Sequence, residues 1–215
     1  DYIDFYLMHA MNKEKFHQMV DLGVVEYLEG LKAEGKIKYL GFSFHDNYEA
    51  FEDILGYRDW DFCQIQLNYM DTDTQAGLKG YKLTEEKKIP LVIMEPVKGG
   101  SLATFADDIT EKFRALNPEA SIASYALRWV GSLPNVKVIL SGMSTMEQVE
   151  DNLKTFADFQ PLSETENKTI DEVVALINSR VKNGCTGCSY CMPCPAGVDI
   201  PACFAAYNTR YTDSW

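Results

Sequence analysis

The chain has 215 residues, 46% of them hydrophobic and 24% charged, enough apolar material for a sizeable core in one large domain or a domain with an appendage. Its 32 acidic against 20 basic residues leave a net charge of −12, which excludes broad electrostatic attraction to nucleic acid or an anionic membrane and leaves small molecules or proteins as partners. No apolar run reaches the roughly 20 residues of a transmembrane helix, and DYIDFYLMHA lacks the basic start and cleavage site of a signal peptide, so a cytoplasmic setting is expected, where disulfides seldom persist.

IDFYLMH, Ile3 to His9, reads as a strand. VVEYLEGLKAEG follows as a helix with Val24, Tyr27, Leu28 and Leu31 on one face and Gly35 as its stop. KYLGFSF, Lys38 to Phe44, is the next strand, and Asp46 is expected to cap a helix carrying Phe51, Ile54 and Leu55 that ends near Gly56. FCQIQLNY and PLVIMEPV are strands on either side of a weaker, glycine-containing helix, and VKVILSG is a fifth. The long helix SIASYALRWVGSL precedes that fifth strand, with Ile122, Tyr125, Ala126, Trp129, Val130 and Leu133 on its buried stripe. After it, one helix carries Met146, Val149, Leu153 and Phe156. Another opens on the capping box Ser163-Glu164-Thr165-Glu166 and carries Ile170, Val173, Val174 and Ile177. These stripes read as core.

LVIM is apolar on both alternating faces, as parallel strands covered on each side are, so the fold class is α/β. Five strand–helix units are too many for one half of a dinucleotide fold and too few for a closed eight-stranded barrel. An open sheet of that size exposes strand edges and apolar faces, so association with another segment or self-association is expected. Periodicity ends near residues 178 to 184, which divides the chain into a body, 1–180, and a cysteine-rich tail, 181–215.

Four of the six cysteines lie in CTGCSYCMPCP. Clustered thiols in a reducing compartment read as metal ligands or redox groups. Structural zinc takes two Cys-x₂-Cys pairs a dozen or more residues apart, and here there is no separation. Cys185, Cys188 and Cys191 instead have the spacing that wraps three corners of an iron–sulfur cubane; Cys194, followed by proline, parallels the bacterial ferredoxin run with its last interval one residue short. A 4Fe-4S cluster is the favoured reading, with Cys194 completing it or serving another; zinc and uncoordinated thiols are the alternatives. Cys203 reads as a small buried hydrophobe before a spare ligand, and Cys63, inside a strand run, reads as core.

DFYLMH, LKAEGKIKYLGFS, CQIQLNY, MEPVKGGSL, YALRWV and VILSGMSTMEQVEDN, in that order, resemble the second half of an aldo/keto reductase over about residues 1 to 158. The resemblance implies strands four to eight of a (β/α)₈ TIM barrel, and NAD(P)H-dependent reduction of a small-molecule carbonyl substrate. The family's first three strands, with its catalytic Asp, Tyr and Lys, have no counterpart. His9 matches the family's catalytic histidine at the C-terminal strand edge. Ser43 and Gln64 match residues that hold the nicotinamide carboxamide; Phe44 stands where Asn is common, and Met94 where many members stack an aromatic ring. Val97, Lys98, Gly99 and Gly100 resemble the loop over the cofactor pyrophosphate, the glycines admitting backbone N–H groups and Lys98 adding charge. Asp151 and Asn152 match adenine-side positions. Gly142 and Gln148 stand where NADPH-preferring members carry Lys and Arg, which favours NADH.

CTGCSYCMPCPAGVDIP resembles the ferredoxin-like tail of a subgroup of the family, in which a second cysteine run follows. A cluster there implies either a link between hydride chemistry and a one-electron carrier protein or a structural brace. The chain is expected to be a piece of such an enzyme and a poor reductase unless a missing N-terminal barrel segment is supplied. The rival is a non-catalytic iron–sulfur electron-transfer or scaffold protein, and a zinc-stapled binding module is the third reading.

Overall fold

In a computed structural model, which describes residues 1–183 and 191–212, the five apolar runs are all strands. β1 (Ile3–Met11), β2 (Ile37–Phe44), β3 (Phe62–Gln66), β4 (Leu91–Met94) and β5 (Val136–Ile139) form one parallel sheet in the order β1-β2-β3-β4-β5. Strands that are neighbours in sequence are neighbours in space. That is the succession of a barrel wall; a doubly wound sheet reverses its order at a switch point.

Between the strands lie α1 (Lys13–Asp21), α2 (Val24–Ala33), α3 (Tyr48–Tyr57), α4 (Gly77–Glu86), α5 (Asp107–Leu116) and α6 (Ile122–Gly131); α7 (Met146–Ala157), α8 (Glu164–Arg180) and α9 (Ile200–Thr212) follow β5. The chain divides into two compact units, residues 1–99 with 124–161, and residues 100–123 with the described part of 162–212.

In the first unit the core lies between the sheet and its helices. Leu40, Phe42 and Phe44 of β2, Cys63 and Ile65 of β3, and Leu91 and Ile93 of β4 pack with Phe51, Ile54 and Leu55 of α3, Val25 and Leu28 of α2, and Trp60. The Phe42 ring sits 4.8 Å from the Trp60 ring and Phe44 5.1 Å from Phe51, while the Trp60 indole donates to the Ile54 carbonyl at 2.8 Å, so the indole is buried without an orphaned N–H. Each such side chain contributes about 1.5–3 kcal/mol through burial. The alternating residues point to the other face, and the expectation of cover on both sides fails there: Phe5 and Tyr39 are 64% and 46% exposed, stacked on each other at 4.8 Å. β1 and β5 are the sheet edges among the described residues.

In the second unit α5 packs on α8, with Ile109, Phe113, Ile170, Val173 and Ile177 buried. Lys112 pairs with Glu172, and Arg180 with Asp108, whose carboxyl the guanidinium holds below its usual range. The capping box at Ser163 forms as expected, Ser163 Oγ taking the Glu166 N–H while the Glu166 carboxylate takes the Ser163 N–H.

Several expectations are corrected. Asn47, not Asp46, caps α3, its Oδ1 accepting from Ala50 N at 3.0 Å; Asp46 instead accepts from Lys13 N and anchors the start of α1. Tyr27 is exposed. The α7 stripe is not core: Met146, Leu153 and Phe156 are exposed, because the short edge strand β5 offers the helix too little sheet to cover it. A cleft of about 330 Å³ between Phe156, Phe159, Gly131 and β5 remains there. Cys203 lies exposed on α9 and is no buried hydrophobe, whereas Cys63 is fully buried. No helix among the described residues is long and apolar enough to cross a membrane.

Candidate functional site

The C-terminal edge of the sheet gathers polar side chains whose positions follow from strand register. β1 pairs Met8 with Phe42 and Met11 with Phe44, so one extra residue is accommodated between these pairs, and the bulge sets His9 and Ala10 against Ser43. Ala10 takes a left-handed φ of 53° there, and its N–H donates to the buried Ser43 Oγ at 2.7 Å. His9 is exposed at the bulge, and its carbonyl accepts from Lys15 Nζ at 2.9 Å. Ser43 pairs in register with Gln64, and the Gln64 amide donates to Met94 Sδ at 3.4 Å. Ser43 and Gln64 therefore sit side by side on β2 and β3; Met94, which pairs with Gln66 two residues further along, reaches Gln64 only through its side chain, and His9 lies at the β1 end. Because Ala10 fills the acceptor side of Ser43, the hydroxyl proton is left to donate outward.

Ser43→Ala leaves the part-buried Ala10 N–H without its acceptor in a disfavoured backbone conformation. The expected loss is about 1–3 kcal/mol, read by urea unfolding, and a change below about 0.5 kcal/mol would mean that Ser43 does not hold the bulge.

Beyond β4 the chain turns through Glu95 (φ 57°), Lys98 (φ 50°) and Gly99 (φ 62°) within a 3₁₀ turn, Lys98–Gly100; Gly100 opens the second unit. Lys98 does not stand free as the expected phosphate charge. Its ammonium meets both oxygens of Asp71, at 2.5 and 2.6 Å, in a carboxylate site also supplied by Asn68 and Gln66. These three residues were not anticipated. The available signal was the polar run QLNYMDTD directly after a strand, with Asn68 and Asp71 at turn spacing.

On α7, the Asn152 amide donates to Ser141 Oγ at 2.8 Å, and the Asp151 carbonyl accepts the Thr155 hydroxyl. Gln148 is committed to the helix start, its Oε1 accepting from Ser144 N and Thr145 N.

Of the proposed cluster cysteines, Cys185 and Cys188 lie outside the described residues. Cys191 is exposed and Cys194 half-buried. Backbone N–H groups, Val198 first and then Ala196, lower the Cys194 pKa, while the Gly197 N–H donates to the Cys194 carbonyl at 2.9 Å from a left-handed φ of 71°. Burial pushes the Cys63 thiol far up and makes it inert. Among the described residues no group of three or more His, Cys, Asp or Glu side chains is assembled to hold a metal.

A sequence model of the "Aldo/keto reductase family" matches residues 1–175. "Uncharacterized oxidoreductase YqkF" of Bacillus subtilis (strain 168) is 25% identical over 191 residues, which are 79% of this chain and 60% of that protein. Aldo-keto reductase AKR11C1 from Bacillus halodurans (apo form) superposes with a TM-score of 0.65 at 22% identity, covering 80% of this chain and 62% of that one. An aldo-keto reductase from Klebsiella pneumoniae in complex with NADPH gives a TM-score of 0.61 at 21% identity, covering 81% of this chain and 59% of that one. The chain thus spans about three fifths of the length of these relatives.

Proposed function

The chain belongs to the aldo/keto reductase family, and from that premise we propose that its sheet edge holds the nicotinamide end of NAD(P)H in an oxidoreductase acting on a small-molecule carbonyl. The observation that carries this reading is the in-register pair Ser43 and Gln64, with the Met94 side chain in contact with Gln64. A hydroxyl free to donate and an amide sit side by side in register, the donor and acceptor set a carboxamide needs, and a polarizable sulfur lies beside them to pack on a ring. His9 at the β1 end is the proposed polar partner for the substrate oxygen. When bound, the nicotinamide supplies hydride; this chain's residues bind and orient it.

Val97, Lys98, Gly99 and Gly100 are proposed as the pyrophosphate loop, and Asp151 and Asn152 as adenine-side residues. With Gln148 spent on a helix cap and glycine at 142, neither position offers a counter-charge for a 2′-phosphate, which favours NADH. The NADPH in the Klebsiella neighbour supports a nicotinamide nucleotide of either kind. Residues 181–215 are proposed as a separate 4Fe-4S tail on Cys185, Cys188, Cys191 and Cys194. The Cys-x₂-Cys spacing of Cys191 and Cys194, and the lowering of the Cys194 pKa by the Val198 and Ala196 N–H groups, suit thiolate ligands and support this reading.

Titration calorimetry of the whole chain tests the nucleotide reading. NADH is expected to bind, and Gln64→Ala to weaken it about tenfold, the value of one well-made hydrogen bond in a dry site. No NADH affinity would sink the reading, and tighter binding of NADPH would reverse the cofactor preference.

A further inference from the structure

Asp71 sits in the loop after β3 with 11% side-chain exposure, and every partner of its carboxylate points across to the turn after β4 or holds the loop that faces it. Fully buried Asn68 is the hinge of this arrangement: its Oδ1 accepts from Met70 N and Asp71 N, and its Nδ2 donates both to Asp71 Oδ2 at 3.1 Å and to the Glu95 carbonyl at 3.0 Å. The two non-glycine residues with left-handed backbone in the β4 turn are therefore the two that the network grips, Glu95 through its carbonyl and Lys98 through its ammonium. Such conformations persist where the surroundings over-determine them.

We propose that Asp71 is a positioning residue for the Val97–Gly99 turn, acting through Lys98, and that Lys98 is a strut and not the counter-charge of a bound phosphate. The inference rests on the reading of that turn as a pyrophosphate loop. An ammonium clamped by both oxygens of a largely buried carboxylate has little field left to offer a second anion. With the Lys98 charge matched by Asp71 and Glu95 a further acidic residue of the turn, the turn has no net positive charge, so its attraction for phosphate comes from correctly aimed backbone N–H groups. Aim is what the Asp71–Lys98 pair maintains.

The test uses the whole chain with ADP-ribose, which carries the pyrophosphate without nicotinamide, and adenosine, which carries neither. Asp71→Asn, Lys98→Met and the double variant are compared by calorimetry at low and high salt. The double variant removes both charges together, so no unpaired buried carboxylate complicates folding. Each is expected to bind ADP-ribose about tenfold more weakly, with adenosine binding unchanged and the parent's salt dependence retained. Tighter ADP-ribose binding by Asp71→Asn, or a loss in Lys98→Met confined to low salt, makes Lys98 a direct phosphate ligand and overturns the proposal. A parent chain with no affinity for ADP-ribose overturns the pyrophosphate-loop reading instead. The strut is then decided by thermal midpoints: the double variant no lower than the worse single supports it, and additive lowering rejects it.

Discussion

Purified without oxygen, the chain is expected to carry iron and acid-labile sulfide in matched amounts, and Cys194→Ser to lose most of both. Four thiols at three-residue intervals cannot form the two separated knuckles that zinc prefers, but they can wrap a cubane. Cys194 brings a second property. The N–H groups of Val198 and Ala196 lower its pKa, an environment that favours a coordinating thiolate and that a serine hydroxyl does not reproduce. Loss of an outer-shell partner alone typically costs about 10–100-fold in metal affinity, so loss of the ligand itself is expected to exceed that. Cys63→Ser, in the sheet core, and Cys203→Ser, exposed on α9, are the controls and should keep iron and sulfide at parent levels. Zinc without sulfide would reduce the tail to a structural knuckle, and full iron retention by Cys194→Ser would remove that residue from the ligand set.

What could be read from the sequence was what local chemistry decides. The five strands announce themselves as branched and aromatic runs, and the Ser163 capping box is a local exchange of hydrogen bonds, so all were legible before any coordinates. The cap of α3 was not, because Asp46 and Asn47 are both competent; the choice falls to Asn47 only because the Lys13 N–H, 33 residues away, claims Asp46. The α7 stripe shows the same limit. Periodicity says that Met146, Leu153 and Phe156 share a face, and says nothing of whether four residues of edge strand can cover it. α1 is only nine residues long, and its helical signal is the single apolar turn Phe16, Met19 and Val20, of which only Phe16 is fully buried. At the candidate site, resemblance singled out Ser43, Gln64 and Met94, which the structure brings to one edge of the sheet. The Asp71–Lys98 pair joins two loops 27 residues apart, which no local pattern encodes.

Gly41→Ala is expected to cost about 3 kcal/mol and to weaken NADH binding with it. Gly41 lies in β2 opposite Leu7 on one side and Phe62 on the other. A Cβ there would stand 2.6 Å from the Phe62 carbonyl oxygen and 2.7 Å from its ring. The ring can rotate away, but the carbonyl belongs to the β3 backbone, so β2 and β3 must part at the first pair of their ladder. Overpacking of this kind typically costs about 1–3 kcal/mol, and the upper end applies where backbone must move. The consequence for function follows from register, since the Ser43–Gln64 pair is two residues further along the same ladder and takes up any separation begun at Gly41–Phe62. Two further variants divide the causes. Phe62→Leu in the Gly41→Ala background relieves the ring clash and leaves the carbonyl clash, so it should restore only part of the loss. Gly30→Ala, inside α2 with nothing within 4 Å, should be neutral or stabilising by up to about 1 kcal/mol, as expected for alanine in a helix interior. Stability of Gly41→Ala within about 0.5 kcal/mol of the parent would show that the ladder opens freely there. The alignment of Ser43 with Gln64 would then need another cause.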